Sequence, residues 1–311
     1  MIDWFYALLI RILAPVLQQA VNAHPEKSKV GHALNELGFV IYKRHYYHPF
    51  ITRSDLHHPL NEKRELPGLP LDQQNQRKFL LSLNAIDEMQ LLGFPVSAGP
   101  LDYDFTTAQN FGAGDADVLY GIVRKYKPSK IIEIGCGDSS KIAQAAIKKN
   151  IAENENYQCH HICIEPYEQP WLDELGVEII RERVELSDKQ LFQDLEENDI
   201  LFIDSSHIIR PQGDVLFEVL ELLPTLPKGV LIHIHDIFTP RDYPEIWVLD
   251  SKLLWNEQYI VEAFLNYNSE FEICLALNWL TNEIREDLIE KLPGLAWNPG
   301  AQPGSLWMRK T

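Results

Sequence analysis

Two glycines, four carboxylates and three histidines recur in this chain at the ends of short apolar runs, where side chains of these types can bind a sugar ring and move a proton. The first set lies in Lys130-Ile131-Ile132-Glu133-Ile134-Gly135-Cys136-Gly137-Asp138-Ser139-Ser140. A β-branched run meets a bend at Gly135 and Gly137, which leaves no Cβ between backbone and ligand. Glu165 ends a second run, His161-Ile162-Cys163-Ile164-Glu165. A carboxylate there can accept both hydroxyls of a ribose lying across the strand ends.

Acids beside the turn suit an uncharged sugar and repel pyrophosphate, which asks for Gly-x-Gly-x-x-Gly before a bare helix N-terminus. Ser140 stands where the third glycine would be, and Glu133 and Asp138 add negative charge. With Glu133, Gly135, Gly137, Ser140 and Glu165 as candidate contacts, the pattern favours S-adenosylmethionine over NAD or ATP. Methyl transfer from a sulfonium needs an acceptor oxygen held on axis and relieved of its proton. Asp204 and Asp236, each at the end of a later run, are placed to grip one Mg²⁺ that would acidify acceptor hydroxyls. The other use for Asp204 is to cap its own turn. His207, three residues on, and His235 are candidate proton acceptors. His233, on the same strand face as His235, reads as a core histidine with its polar atoms satisfied.

Alternating strands and helices must position these groups. The pattern predicts helices near 114–126, 139–149, 188–196, 212–223 and 255–267. Strands are predicted at 131–134, 161–165, 177–181, 199–204, 229–235, 271–277 and 305–310. Such alternation builds a right-handed, doubly wound, seven-stranded and mostly parallel α/β sheet of Rossmann-like type. Ligands in such sheets sit at the carboxyl ends of the strands. The last two strands, with no strong helical signal between them, read as an antiparallel hairpin. Residues 1–105 read as a helical, loop-rich N-terminal unit, a lid or an oligomerisation element. Residues 106–311 form the alternating domain.

From about residue 107 onward the chain resembles the class I methyltransferases, and closely the family 24 type of sugar and natural-product O-methylation. The resemblance rests on Phe111-Gly112-Ala113-Gly114-Asp115-Ala116, Glu133-Ile134-Gly135-Cys136-Gly137, Ile164-Glu165-Pro166, Ile203-Asp204-Ser205-Ser206-His207 and His233-Ile234-His235-Asp236-Ile237-Phe238, in that order. It implies S-adenosyl-L-methionine as cofactor, with Gly112 beside it and Arg183 and Val184 against the adenine. It also supports an acid pair, Asp204 and Asp236, holding Mg²⁺, although Ile237 stands where a third acid would be expected. One departure from the pattern is Cys136-Gly137-Asp138-Ser139, where many class I enzymes carry a third glycine. The acceptor expected is a sugar-like small molecule; Arg241-Asp242-Tyr243-Pro244 and Trp255-Asn256-Glu257-Gln258-Tyr259 mix rings and polar groups as sugar sites do, and as packed interfaces also do.

Composition narrows the partners. A net charge of −17 over 311 residues disfavours a phosphate backbone as a partner, so no nucleic acid is expected. The four cysteines match no zinc spacing and read as free thiols of a cytoplasmic protein. The apolar stretch from Trp4 to Leu17, broken by Asp3, Arg11 and Pro15, is too short to span a bilayer and lacks the pattern of a signal peptide. It reads as a helix that docks on the core, on a second subunit in a homo-oligomer, or weakly on a membrane surface. Two other functions fit the same fold: a catalytically silent binding or assembly subunit, and an NAD-dependent oxidoreductase, which the glycine spacing opposes.

Overall fold

The computed structural model describes residues 2–21, 27–43, 45–95, 99–108 and 110–311. The chain divides into two compact units, Met1–Asp55 and Leu56–Thr311. In the first, α1 (Ile2–Ile12) and α2 (Ala14–Val21) meet at 59°, and α3 (Lys29–Glu36) starts at Ser28, whose Oγ accepts from the Gly31 amide. None of the residues of α1 is buried. Among the described residues no single helix is long and apolar enough to cross a membrane; α1 and α2 reach that length and composition only as a bent pair.

Residues 56–105, expected to belong with the N-terminus, are part of the second unit. Arg64 pairs with Glu262 and Asp242, and the Gln76 side chain accepts from the Ala276 amide. Here α4 (Gln73–Leu81) is capped by Asp72 and α5 (Met89–Leu92) follows. The rest alternates: α6 (Asp115–Tyr126), β1 (Lys130–Ile134), α7 (Asp138–Glu153), β2 (His160–Ile164), β3 (Glu178–Ile180), α8 (Gln190–Gln193), β4 (Ile200–Ile203), α9 (Asp214–Leu216) and β5 (Leu231–Ile234). Then come α10 (Glu257–Leu265), β6 (Phe271–Ala276), α11 (Leu277–Lys291), α12 (Pro293–Trp297) and β7 (Leu306–Lys310). π-Helical segments follow α9, at Phe217–Leu222, and precede α10, at Ile246–Asp250. The two closing strands are antiparallel, as expected, but α11 and α12 lie between them, so they are not a hairpin.

The sheet runs β3-β2-β1-β4-β5-β7-β6, with β1 to β5 parallel. Helices cover both faces, so the central strands are buried and rich in Ile, Leu and Phe, with Glu133, His161 and His233 as buried polar exceptions. Ile134 is in register with Ile164 and Ile203, and Ile203 with Ile234. The next residue of each strand, Gly135, Glu165, Asp204 and His235, therefore falls in one row. Each donates its amide to the last carbonyl of a neighbouring strand: Gly135 to Ile164, Glu165 to Ile180, Asp204 to Ile134 and His235 to Ile203, at 2.9–3.1 Å. Strand order reverses between β1 and β4, where open α/β sheets leave a crevice.

Candidate active site

Two cavities open along that row and share Asp204, Ser205 and Ser206. The smaller, about 370 Å³, is lined by Gly135, Glu165, Pro166, Tyr167, Arg183, Val184 and Asp214 among others. Gly135 has φ +76°, and a Cβ there would strike the Asp204 carbonyl oxygen, so β1 can approach β4 only with glycine at this place. Gly137 is extended, and its missing side chain would point into open space. The buried Glu165 accepts from the Cys136 amide at 3.3 Å and the Tyr167 amide at 2.9 Å, one bond per carboxylate oxygen. Each oxygen keeps a lone pair for a further donor. A cavity with the bare Gly135 backbone on one wall, ending on an acceptor-only group, fits a nucleoside with its two hydroxyls.

Of the expected cofactor contacts, the structure brings Gly135, Glu165, Arg183 and Val184 to this cavity. Gly112 lines the larger one instead. Gly137, Ser140 and Glu133 line neither. The Glu133 carboxylate is buried and taken up by Ser139 Oγ at 2.5 Å, Ser140 Oγ at 2.7 Å and His161 Nε2 at 3.0 Å. Its work is internal: it ties the start of α7 to β1 and β2.

The larger cavity, about 700 Å³, is walled by Trp247, Trp255, Trp297 and Phe105, with Asp115, Asp204, His207, His235 and Asp236 on its polar side. The loop after β4 is pinned from below: Ser206 Oγ and its amide bond Asp214, and Ser205 Oγ donates to Glu218. The His207 carbonyl accepts from the Asn256 and Glu257 amides at the head of α10. His207 and Asp236 hold left-handed φ values of 59° and 55°, strained for residues with a Cβ and concentrated at functional sites.

His207 is the hub. Its Nδ1 lies 2.8 Å from Glu257 Oε2, and its Nε2 lies 3.2 Å from Asp204 Oδ1 and 3.7 Å from Asp236 Oδ2. Its ring packs against Trp255 at 4.4 Å. Burial alone would lower its pKa, but hydrogen bonds to Asp204 and Glu257 raise it well above the ordinary histidine value, which favours the imidazolium. Asp204 moves the other way. Burial would raise it, yet the charges of His235 and His207 bring it below the ordinary aspartate value. Burial raises Asp236, and it raises Glu257 despite the bond from His207.

His235 is buried, with Nε2 3.7 Å from Asp236 Oδ1; burial would lower its pKa, but Asp204, Asp236 and Asp115 raise it. His233 is a core residue stacked on Phe202 at 4.0 Å, but contrary to expectation neither ring nitrogen has a hydrogen-bond partner among the described residues. Burial, with the charge of His235, holds it neutral. Trp255 joins the site as expected, whereas Arg241 to Pro244 line a separate cavity of about 510 Å³. Sequence reasoning gave no role to Asp115, Trp247 or Trp297, and it named Glu257 only within the ring-and-polar segment 255–259, not as a partner of His207. Asp115 accepts from the Gly304 and Ser305 amides, a partnership across 190 residues that no local pattern carries.

Residues 132–237 match the family model described as a methyltransferase domain. No curated protein matches the chain. Among solved structures, a Plasmodium falciparum chain given as a protein-L-isoaspartate O-methyltransferase, with S-adenosyl-L-homocysteine bound, aligns at 13% identity. The alignment covers 53% of this chain and 77% of that one with a TM-score of 0.27, too weak a likeness to bear on fold or function.

Proposed function

We propose that this S-adenosylmethionine-dependent class I methyltransferase methylates a hydroxyl of a sugar-like small molecule held in the 700 Å³ cavity. Its class stands on the family match over residues 132–237 and on the seven-strand order with its glycine turn. The acceptor reading is carried by one observation: two cavities of different character meet at Asp204, Ser205 and Ser206. One ends on Glu165 and suits a ribose; the other offers indole faces beside carboxylates, the mixture that sugars use.

When bound, S-adenosylmethionine supplies an electrophilic methyl group on a positively charged sulfur. Glu165 would accept from the ribose hydroxyls, and Arg183 and Val184 would flank the adenine. Asp204, at the junction, would orient the acceptor hydroxyl and take its proton. A carboxylate suffices, because the hydroxyl becomes strongly acidic as its oxygen gains the methyl. His207, already charged, is a poor resting base at neutral pH; it keeps Asp204 ionised and is itself held by Glu257. His235 lends positive charge from the far side.

The residues do not fit Mg²⁺ between Asp204 and Asp236. That ion asks for an octahedron of oxygens at about 2.1 Å, whereas the ring of His207 stands within 3.7 Å of both carboxylates and its charge takes the ion's place. A cytoplasmic setting belongs to this reading, supported by four free cysteines. Self-association through the exposed Trp4 and Phe5 of α1 belongs to it too.

The test is transfer of labelled methyl from S-adenosylmethionine to a panel of methyl glycosides and disaccharides in magnesium-free and magnesium-supplemented buffer. We expect transfer to a hydroxyl in both buffers, and about 10²–10⁴-fold slower turnover in Asp204→Asn with S-adenosylhomocysteine affinity unchanged. In Glu165→Ala that affinity should fall about tenfold or more, the value of a charge-assisted hydrogen bond. Transfer only to carboxylate or amine acceptors would overturn the hydroxyl reading, and strict dependence on added magnesium would overturn the metal-free one.

A further inference from the structure

Around the glycine turn, and lining neither cavity, four side chains that the methyl-transfer reading leaves unused converge. Cys163 Sγ lies 3.7 Å from His161 Nε2 and 3.8 Å from Glu133 Oε2, and these two atoms are 3.0 Å apart. Cys136 brings its own Sγ within 4.8 Å of both the Cys163 sulfur and a Glu133 oxygen. We propose that Glu133, Cys136, His161 and Cys163 form a structural site for a soft divalent cation, zinc above all.

The geometry carries it. Tetrahedral zinc with two sulfurs, one nitrogen and one oxygen at their usual bond lengths has ligand-to-ligand edges of roughly 3.4–3.8 Å. The three measured edges, 3.0, 3.7 and 3.8 Å, already bracket that range, and Cys136 has only to close in from the bend. Thiolate and imidazole ligands select zinc over magnesium or calcium. The second layer that such sites need is also present. With the Gln144 amide turned so that its oxygen accepts from His161 Nδ1–H across the present 2.9 Å contact, the ring leaves Nε2 free toward the cluster, while Ser139 and Ser140 hold the Glu133 carboxylate. The sulfurs sit in an apolar pocket with Leu172 and Leu175, which keeps water from competing.

On binding, zinc would take both sulfurs as thiolates, His161 through neutral Nε2, and the Glu133 carboxylate, and the protons of the two thiols and of His161 Nε2 would pass to solvent. Because Cys136 stands between Gly135 and Gly137, the ion would brace the cofactor turn without touching the reaction.

The experiment uses the full chain, reduced with a phosphine, stripped of metal and titrated with Co²⁺ and then Zn²⁺. One equivalent of cobalt should give thiolate charge-transfer absorption in the near ultraviolet and tetrahedral bands in the visible, and zinc should abolish both stoichiometrically. Cys136→Ala and Cys163→Ala should each retain at least tenfold less zinc by elemental analysis, with His57→Ala as an unaffected control. No thiolate band in the wild-type chain would overturn the site whether or not the variants fold. So would zinc retained equally by either cysteine variant. Neither readout involves methyl transfer, so the site can fail while the acceptor reading stands.

Discussion

At the scale of single residues, the site turns on how one histidine is charged. His207 is flanked by Asp204 and Glu257, and its pKa in the folded chain lies above its unfolded value. A group raised in this way stabilises the fold fully below the ordinary histidine range, and that contribution is lost as pH rises through the raised value. We therefore expect the stability gap between wild type and His207→Gln in urea melts to be widest near pH 6 and to narrow on the alkaline side. Activity should respond in the opposite limb. Removing the imidazolium deprives Asp204 of a positive neighbour, so the acid limb of kcat should move to higher pH in His207→Gln. A limb that stays in place would mean that Asp204 is not the proton acceptor.

Elements decide what such residues can reach, and here the row of strand ends was open to sequence reasoning. Ile-rich runs at 131–134, 161–165, 199–204 and 229–235 predict parallel strands, and the structure puts Gly135, Glu165, Asp204 and His235 level with one another. Long-range partners were not legible. The bond from His207 to Glu257 joins a loop to a helix fifty residues later, and neither residue's neighbours announce it. The Glu133 carboxylate was assigned to the cofactor because its position suggested so; its partners, Ser139, Ser140 and His161, emerge only once α7 folds back over β1 and β2. Helix α11 was overlooked although Leu277, Leu280, Ile284 and Leu288 recur at helical spacing, since a kink at Ile284 and a helix begun directly on a strand blur the pattern. The row also yields a prediction. In Gly135→Ala the new Cβ meets the Asp204 carbonyl in a left-handed conformation, so β1 and β4 must separate at the junction. We expect a loss of about 1–3 kcal/mol in chemical denaturation together with weaker S-adenosylhomocysteine binding; a full-affinity, full-stability variant would show that the strands have slack.

For the whole molecule, the division at residue 55 has a direct consequence. The segment from 56 to 105 is bonded into the second unit through Arg64, Gln76 and Glu88, the last paired with Arg124. Deleting residues 1–55 should therefore leave the melting transition and S-adenosylhomocysteine affinity of the remainder within about twofold, read by calorimetry. Deleting through residue 105 should abolish soluble expression, because it strips Leu80, Leu83, Ile86 and Met89 from the core. If the shorter deletion unfolds the protein, the two units are not independent. The expectation against nucleic acid rests on charge alone, whereas no composition reveals that the chain turns from one unit to the next fifty residues before its alternation begins.

The two cavities differ in how the chain supplies them. The wall beside Glu165 comes from the turns that follow β1, β2, β3 and β4, at 134–135, 164–167, 183–185 and 204–214, whereas the wall beside Trp255 adds turns near 105–115, 235–255 and 297–304. Under the function proposed above, lengthening or exchanging those further turns would change what is methylated and leave the donor side as it is.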